Sequence, residues 1–582
     1  MEYVLSDRKL LPYGMMNFED IRLDNYYYVD KTAFIPLIEQ SDRFFFFIRP
    51  RRFGKSLTLN MLQHYYDIRT KDKFDALFGD LYIGKHPTKD RNSYLVIKLN
   101  FSGISGDLHS YRKGLDEHCK IVFDYFCDVY ADYLPEGIKE KMNEKDGAVS
   151  QFEYLFTECA RVNQKIYLFI DEYDHFTNTI LSDVDSMNRY TDETHKEGYL
   201  RAFFNKIKSG TDSSIKRCFI TGVSPVTMDD LTSGFNIGTN YSLSSEFNEM
   251  MGFTESEVRE MLTYYSNTGH FNHTIDELIE IMKPWYDNYC FSGRSLKELP
   301  MYNSDMVLYF VNSYLSTQLP PENMLDTNCR TDYNKLRHLI LIDKNFGKNA
   351  SIIQEIITQG ETVGRIKESF PAVEIAQTDN FKSLLFYYGM LTITATRGQR
   401  MVLSIPNNNV RKQYYEFMLE EYQERRYIDL NSMLDLFYDM AYDGHWRESL
   451  EFIAHAYKEN SSVRSAIEGE RNIQGFFTAY LSVNAYYLLA PELELNHGFC
   501  DLFLMPDLLR YEVAHSYIIE LKYLSSKDSE SKAETQWQEA VGQVRMYAAA
   551  PKVKQLIQNT QLHCIVVQFR GCELERMEEV SF

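Results

Sequence analysis

Short apolar runs alternate with amphipathic stretches along residues 1–250. Runs of this length, rich in aromatic and β-branched residues, predict buried strands. The apolar residues that follow Ser56 have helical spacing instead. Strands that alternate with helices predict an α/β fold built on a doubly wound parallel sheet. The predicted strands lie in Phe44–Ile48, Tyr94–Ser102, Lys165–Phe176 and Arg217–Ser224.

The pattern becomes mainly helical in residues 251–455. Within them, Phe381–Pro406 predicts a helix, then two short strands, then the start of a capped helix, an order typical of a winged-helix-like region. A winged helix could contact DNA, but the neighbouring stretch Leu430–Trp446 is acidic. We therefore expect this middle region to couple the two ends of the chain rather than to bind DNA.

Strand patterns return in residues 456–582. Two apolar segments, Pro491–Pro506 and His515–Leu524, predict a hairpin, and a helix separates them from a strand at Leu562–Arg570. The resulting order of helix, three strands, helix and strand is that of a restriction-endonuclease-like α/β domain. The sequence thus predicts three parts: residues 1–250, 251–455 and 456–582.

Gly54-Lys55-Ser56, directly after the first predicted strand, is the end of a phosphate-binding loop. Between a strand and a helix, backbone N–H groups and the helix dipole can hold phosphate oxygens. We expect Gly54 to permit close backbone approach, Lys55 to reach the β- and γ-phosphates, and Ser56 to bind Mg²⁺. The general pattern requires glycine where this chain has Arg49, so these residues alone leave a chance GKS open. Arg49, Arg51 and Arg52 are either solvated cations or groups that face the phosphates.

Acidic residues close the strand in Lys165–Phe176. The strand beside the loop of a P-loop fold carries an acid at its end, so Asp171 is expected near Mg²⁺ and Glu172 is the candidate general base. Thr221 and Ser224, at the end of another predicted strand, suit contact with a γ-phosphate. The alternative is a core strand that happens to end in two acids.

A second constellation combines Asp501 with Glu520 and Lys522. Strand periodicity points Glu520 and Lys522 to one face, an arrangement in which two carboxylates bind Mg²⁺ or Mn²⁺ and lysine assists the attacking hydroxide. Further candidate ligands are Glu494 and Glu468 or Glu470, and Gln543 and Tyr547 share one face of the next helix. A surface salt-bridge ladder is the alternative interpretation.

Composition limits these hypotheses. The 582 residues carry a net charge of −21, which favours solubility and does not indicate nucleic-acid binding by itself. Nine cysteines without a C-x-x-C pair argue against a disulfide framework and a zinc site. Neither a membrane span nor a secretory signal is evident, so we expect a cytoplasmic protein. The oligomeric state stays open, and a homo-oligomer is allowed.

Several motifs resemble the bacterial AAA-ATPase-like family, in which a P-loop domain is usually joined to a C-terminal PD-(D/E)XK nuclease-like domain. They are RPRRFGKSLTLNML with YYYVDKTAFI before it, FIDEYD, FITGVS, MMGFTESEV, WYDNYCFSG, LLFYYGMLTI and LSIPNNNVRKQYYEF. The resemblance makes Arg49 part of the family's own loop and places Asp501, Glu520 and Lys522 at its nuclease motif. The chain departs from the family at Asn409, where an acid is common.

Two functions follow. The first is an ATP-binding, ATP-hydrolysing protein coupled to a metal-dependent nuclease, with DNA as the expected nucleic-acid partner and, by resemblance, a role against foreign DNA. The second is a nucleotide-switched interaction protein whose nuclease-like domain only binds, which the net charge favours modestly. A motor that translocates DNA is disfavoured because no arginine finger is evident.

Overall fold

The computed structural model describes residues 8–104, 111–175, 198–226, 238–296, 300–326, 349–423, 430–461, 470–495 and 498–581. Their contacts divide the chain into two compact units. The first contains residues 1–350 and 363–407, and the second contains residues 351–362 and 408–582. The three-part division expected from the sequence stays a prediction.

The first unit contains a parallel sheet of strands β1 (Phe44–Ile48), β2 (Leu95–Asn100), β3 (Ile166–Asp171), β4 (Ile215–Gly222) and β5 (Thr239–Asn240). Their order is β2-β3-β4-β1-β5, and each neighbouring pair is parallel. Every residue of β1 and β3 is buried, as expected for parallel strands covered on both faces. The sheet therefore confirms the α/β fold class.

Helices connect these strands and cover the sheet. They are α1 (Phe18–Leu23), α2 (Phe34–Gln40), α3 (Lys55–Tyr66), α4 (Phe74–Phe78), α5 (Tyr82–Lys85), α6 (Tyr111–Val129), α7 (Ile138–Asn143), α8 (Gly147–Arg161) and α9 (Tyr199–Gly210). Helix α3 follows β1 through the loop that contains Gly54, so the predicted strand, loop and helix are all present.

The strand order corrects one expectation. Strand β3, which ends in Asp171, does not lie beside β1, because β4 is hydrogen-bonded to both. The carboxyl ends of all these parallel strands still meet at one edge of the sheet, where ligands bind in open α/β folds.

A helical part of the first unit follows the sheet: α10 (Glu255–Thr268), α11 (Ile275–Tyr286) and α12 (Ser304–Thr317). Thr254 and Thr274 begin α10 and α11 with complete capping boxes, each paired with a glutamate three residues on. Apolar side chains of all three helices form one buried cluster that includes Met261, Met282 and Phe310.

Helix α13 (Asn349–Gln359), strand β6 (Glu361–Gly364), helix α14 (Thr378–Tyr387) and strands β7 (Thr392–Arg397) and β8 (Arg400–Ser404) come next. The three strands form a sheet of order β6-β8-β7, and β7 and β8 are an antiparallel hairpin. This order of helices and strands agrees with the expected winged-helix-like region.

The second unit is built on a mixed sheet of order β13-β12-β11-β10-β9. The strands are β9 (Tyr487–Leu495), β10 (Gly498–Pro506), β11 (His515–Leu524), β12 (Gln561–Arg570) and β13 (Glu573–Glu579). Strands β11 and β12 are parallel, whereas the other pairs are antiparallel. The predicted strand Pro491–Pro506 is in fact divided between the paired strands β9 and β10.

Helices surround this sheet: α15 (Asn408–Gln423), α16 (Leu430–Tyr442), α17 (Trp446–Ser461), α18 (Glu470–Leu481), α19 (Glu530–Ala548) and α20 (Pro551–Ile557). Trp537 and Val544 of α19 pack with Ile518 and Val566 of the central strands in a buried cluster. Within the described ranges, no helix is both long and apolar enough to span a membrane.

Candidate functional sites

The loop between β1 and α3 has the backbone that a phosphate site requires. Gly54 precedes α3 with φ of +84°, a left-handed conformation that glycine adopts without strain. Lys55 Nζ donates to the carbonyl oxygens of Arg49 at 3.0 Å and Pro50 at 2.8 Å. The lysine therefore closes the loop across its mouth, at the point where phosphate oxygens would compete for it.

Residues outside the loop hold its remaining carbonyls. The Gly252 N–H donates to Phe53 O at 3.1 Å, and Arg52 O accepts from both Ser304 Oγ at 3.1 Å and the Asp305 N–H at 3.2 Å. Carbonyls that are engaged in this way are unavailable to a ligand. The first turn of α12 and the segment before α10 thus fix the loop's orientation.

Ser56 and Asp171 meet at the edge of the sheet. Ser56 Oγ, in the first turn of α3, donates to Asp171 Oδ2 at the end of β3 at 2.9 Å, and Asp171 is almost fully buried. This pair of a hydroxyl and a carboxylate is the ligand set that holds Mg²⁺ in P-loop NTPases. Glu172 follows with φ of +50° and with its side chain 42% exposed.

A cavity of about 540 Å³ opens over the loop. Its polar floor comes from Lys55, Ser56 and Glu172, so the expected phosphate-binding lysine and candidate base face the same space. Charged side chains of Lys31, Arg51, Arg52 and Asp305 also line it. Apolar side chains form much of the remaining wall: Pro12, Met15, Met16, Ile21, Val29, Met250, Met251, Phe253, Met261 and Leu308. A polar floor beside an apolar wall suits a ligand with phosphates at one end and a flat ring at the other.

The apolar wall was not anticipated from the sequence. It comes from segments near positions 15 and 250, far from the loop in the chain. The available signal was the pair of double methionines at 15–16 and 250–251. Methionine adapts to irregular apolar spaces and contacts aromatic rings favourably, which suits a pocket for a base.

The expectation that Arg49 faces the phosphates is wrong. Its side chain is only 1% exposed, and its guanidinium donates to the carbonyls of Ile48, Ser242 and Phe247 at 2.8–3.0 Å. The same group lies between the rings of Phe47 and Phe291, 4.1 and 4.2 Å from their centroids. Burial lowers the pKa of Arg49 to about 9. Arg49 is thus a structural cation that ties the loop to distant segments.

Arg51 and Arg52 remain at the cavity. Arg52 is a non-glycine residue with φ of +69°, and its Nη1 lies 3.0 Å from Asp305 Oδ2. Its guanidinium is thus turned toward the first turn of α12. Burial raises the pKa of Asp305, whereas the Arg52 charge opposes that rise.

Like Arg49, Thr221 and Ser224 do not line the cavity. Both are fully buried; Thr221 Oγ1 donates to Phe47 O at 2.6 Å, and Ser224 Oγ accepts from the Val226 N–H at 3.2 Å. Their hydroxyls therefore stabilise the end of β4. Val223 is the residue of this segment that lines the cavity.

The second constellation comes together on β10 and β11. Leu502 pairs with Ile519, which sets Asp501 opposite Glu520, and the Leu521 N–H donates to Asp501 Oδ2 at 2.8 Å. Lys522 Nζ lies 2.8 Å from Glu520 Oε1 and 3.9 Å from Asp501 Oδ2. All three side chains are therefore within reach of one point.

Helix α18 adds contacts to this cluster. Glu470 Oε1 lies 3.7 Å from Lys522 Nζ, and Gln474 Nε2 donates to Asp501 O at 3.1 Å. The buried Oε1 of Gln543 accepts no hydrogen bond from the described residues. Glu468 lies outside the described residues, and only the backbone of Glu494 is described.

Burial perturbs the charges of the cluster. It raises the pKa of Asp501, and the neighbouring Glu520 carboxylate raises it further; burial likewise raises the pKa of Glu520. For Lys522, burial lowers the pKa, but the carboxylates of Glu520, Asp501 and Glu470 outweigh it and raise the pKa overall. Acids with raised pKa values packed around one lysine are typical of functional sites.

The donor set fits a hard divalent cation. Glu520 Oε2 is buried and accepts no hydrogen bond from the described residues, which leaves one carboxylate oxygen available as a ligand. Carboxylate oxygens are the ligands that Mg²⁺ and Mn²⁺ prefer, with water completing the shell. Among the described residues no group of three or more His, Cys, Asp or Glu side chains could hold a metal ion, and Asp501 and Glu520 are the paired carboxylates of this cluster.

Comparison with known proteins agrees with this division of sites. Residues 12–232 match the model of a family described as "Predicted AAA-ATPase" (AAA-ATPase_like), and residues 468–579 match that of the "PD-(D/E)XK nuclease superfamily" (PDDEXK_9). A curated relative, "Uncharacterized protein in vnfD 5'region" of Azotobacter chroococcum mcd 1, is 28% identical over 316 residues. The match covers 52% of each chain, so this chain spans about half the length of that relative.

Among solved structures, "Crystal structure of Cdc6p from Pyrobaculum aerophilum" matches at 9% identity with a TM-score of 0.27. That match covers 67% of this chain and 93% of the other, and so low a score supports no further conclusion.

Proposed function

We propose, from the premise that this chain joins an AAA-ATPase-like domain to a PD-(D/E)XK nuclease superfamily domain, that it hydrolyses ATP and cleaves nucleic acid. The observation that carries the proposal is the pair of separate acid clusters. One lies beside a phosphate-binding loop, at Ser56 and Asp171, and the other surrounds Lys522 on β11. Each has the oxygen ligands that a divalent cation requires.

In the first site, the loop N–H groups, Lys55 and the start of α3 would bind the triphosphate, while the apolar wall would hold the base. Ser56 and Asp171 would hold Mg²⁺, which supplies charge neutralisation when it is bound. Glu172, half-buried at the same cavity, would orient and deprotonate the attacking water.

In the second site, Asp501 and Glu520 would hold Mg²⁺ or Mn²⁺, which activates water and stabilises charge on a phosphodiester when bound. Lys522 would donate to the oxygen that becomes negative, because it is a buried cation held in place by carboxylates. We propose DNA, single-stranded or double-stranded, as the substrate. A role in defence against foreign DNA, which the family resemblance suggests, is part of this proposal.

Two binding experiments test the sites separately. Titration with a fluorescent ATP analogue and Mg²⁺ should give saturable binding that Lys55→Ala weakens by at least tenfold, because a charge-assisted contact to phosphate is worth about 1.5–3 kcal/mol. Binding that is unchanged in Lys55→Ala would refute the loop as the nucleotide site.

For the second site, Mn²⁺ titration without nucleotide, followed by electron paramagnetic resonance, should show a class of bound ion that Glu520→Gln removes. The matched control is Glu534→Gln, which changes an exposed glutamate of α19 by the same one atom. Equal Mn²⁺ binding by both variants would refute the metal site.

A further inference from the structure

The hairpin of β7 and β8 ends in an exposed basic tip. Its turn is Gly398-Gln399, with Gly398 at φ of +64°, and it is flanked by Arg397 and Arg400. All four of these residues are exposed. The hairpin from Thr392 to Ser404 contains two arginines and no acid, in a chain whose net charge is −21.

Further cations lie beside the tip. Arg365, just after β6, is exposed and its Nη2 donates to Gln399 Oε1 at 3.2 Å, which places it at the turn. Lys367 is exposed two residues later. Acids lie in this segment too: Glu368 is exposed next to Lys367, and Asp379 Oδ1 accepts from the Arg365 backbone N–H at 3.3 Å. The Asp379 contact engages the Arg365 backbone and not its guanidinium.

The helix that precedes the hairpin cannot read bases. In a winged helix, the helix before the hairpin is the one that enters the major groove. Here every residue of α14 from Asn380 to Tyr387 is buried. The exposed cations of residues 361–407 are Arg365, Lys367, Arg397 and Arg400, which lie at the hairpin tip and in the segment before α14.

The base of the hairpin is fixed rather than free. The Ile393 N–H donates to Cys290 O at 3.3 Å, and the Cys290 N–H donates to Thr392 Oγ1 at 2.8 Å. Gly293 packs against Thr396 and Met401. An anchored base presents the tip in one orientation, which reduces the entropy lost when it binds a ligand.

We propose that this tip binds the phosphodiester backbone of nucleic acid, through Arg365, Arg397 and Arg400. Guanidinium groups suit phosphate oxygens because they form paired hydrogen bonds, and such contacts carry no sequence information. The inference deepens the proposed nuclease function and rests on it, since a nuclease must hold the backbone of the nucleic acid that it cuts. It also replaces the purely structural role expected for this region from the sequence.

The test is fluorescence anisotropy of the full chain with labelled duplex DNA, single-stranded DNA and duplex RNA of equal length. All proteins carry Glu520→Gln and the buffer contains EDTA, so that no probe is cut. The test variant adds Arg397→Gln and Arg400→Gln. The control adds Lys85→Gln and Lys89→Gln instead, which removes the same charge from another exposed surface.

The test variant should bind its preferred probe about tenfold more weakly at 0.1 M salt, and its slope of log K against log salt should be less steep by about 2. The control should match the parent. Equal affinity of the test variant and the parent, equal losses in both variants, or no binding of any probe by the parent would overturn the inference. Mn²⁺ binding by the chain without Glu520→Gln, measured in parallel, distinguishes failure of the tip from failure of the nuclease site.

Discussion

Replacement of Arg49 by methionine separates a structural role from a phosphate-binding role. The variant loses three charge-assisted hydrogen bonds, worth about 2 kcal/mol each, and two ring contacts, worth about 1 kcal/mol each. It also removes a guanidinium whose pKa is lowered by burial from 12.5 to about 9, a penalty of about 5 kcal/mol. The lost contacts outweigh the burial penalty that is removed, and the difference between the two predicts that Arg49→Met destabilises the first unit by about 3 kcal/mol.

The assay is hydrogen exchange followed by mass spectrometry on peptides that cover β1 and residues 239–253. Arg51→Met is the matched control, because Arg51 lies two residues away at the cavity and is partly exposed. Amide protection of these peptides should fall in Arg49→Met. In Arg51→Met the free energy of opening derived from the exchange should stay within about 0.5 kcal/mol of the parent. Arg49→Lys should not restore it, since lysine lacks the planar fork of donors. Unchanged protection in Arg49→Met together with lost nucleotide binding would refute the structural role.

Two further predictions concern acids of the first unit, the half-buried Asp305 and the buried Asp287. Asp305→Asn removes a negative charge from the cavity wall, so it should tighten binding of the negatively charged fluorescent ATP analogue severalfold, about 1 kcal/mol, and weaker binding would contradict that. Burial raises the pKa of Asp287 from 3.8 to about 6. The ionised carboxylate is thus disfavoured in the folded state. The resulting loss of folding free energy grows as pH rises from about 4 to about 6, and it has its full value above pH 6. Asp287→Asn should therefore stabilise the protein by up to about 3 kcal/mol at pH 7.5 in chemical denaturation, with a smaller gain at pH 5; an equal gain at both pH values would contradict this account.

The sequence was sufficient to predict those features of the sites that depend on residues close together in the chain. The GKS tripeptide lies between a strand and a helix because the apolar pattern changes its period there, and Glu520 and Lys522 share a face because strand side chains alternate. These features depend on spacings of two to four residues, which a sequence displays directly.

Features that depend on distant segments were not predictable. Arg49 finds its carbonyl partners 193 and 198 residues away, and nothing near it distinguishes a buried guanidinium from one that faces phosphate. The insertion of β4 between β1 and β3 is likewise a property of topology, not of any one strand's composition. The apolar wall of the cavity combines segments separated by more than two hundred positions for the same reason.

Cleavage of plasmid DNA in Mn²⁺, with and without ATP, tests the central claim that two acid clusters serve two linked reactions. The wild type should cut the plasmid, Glu520→Gln should abolish cutting while it keeps ATP binding, and Lys55→Ala should remove the response to ATP. Intact ATP turnover without cleavage of DNA or RNA in Mg²⁺ or Mn²⁺ would contradict the account and favour a nucleotide-switched interaction protein.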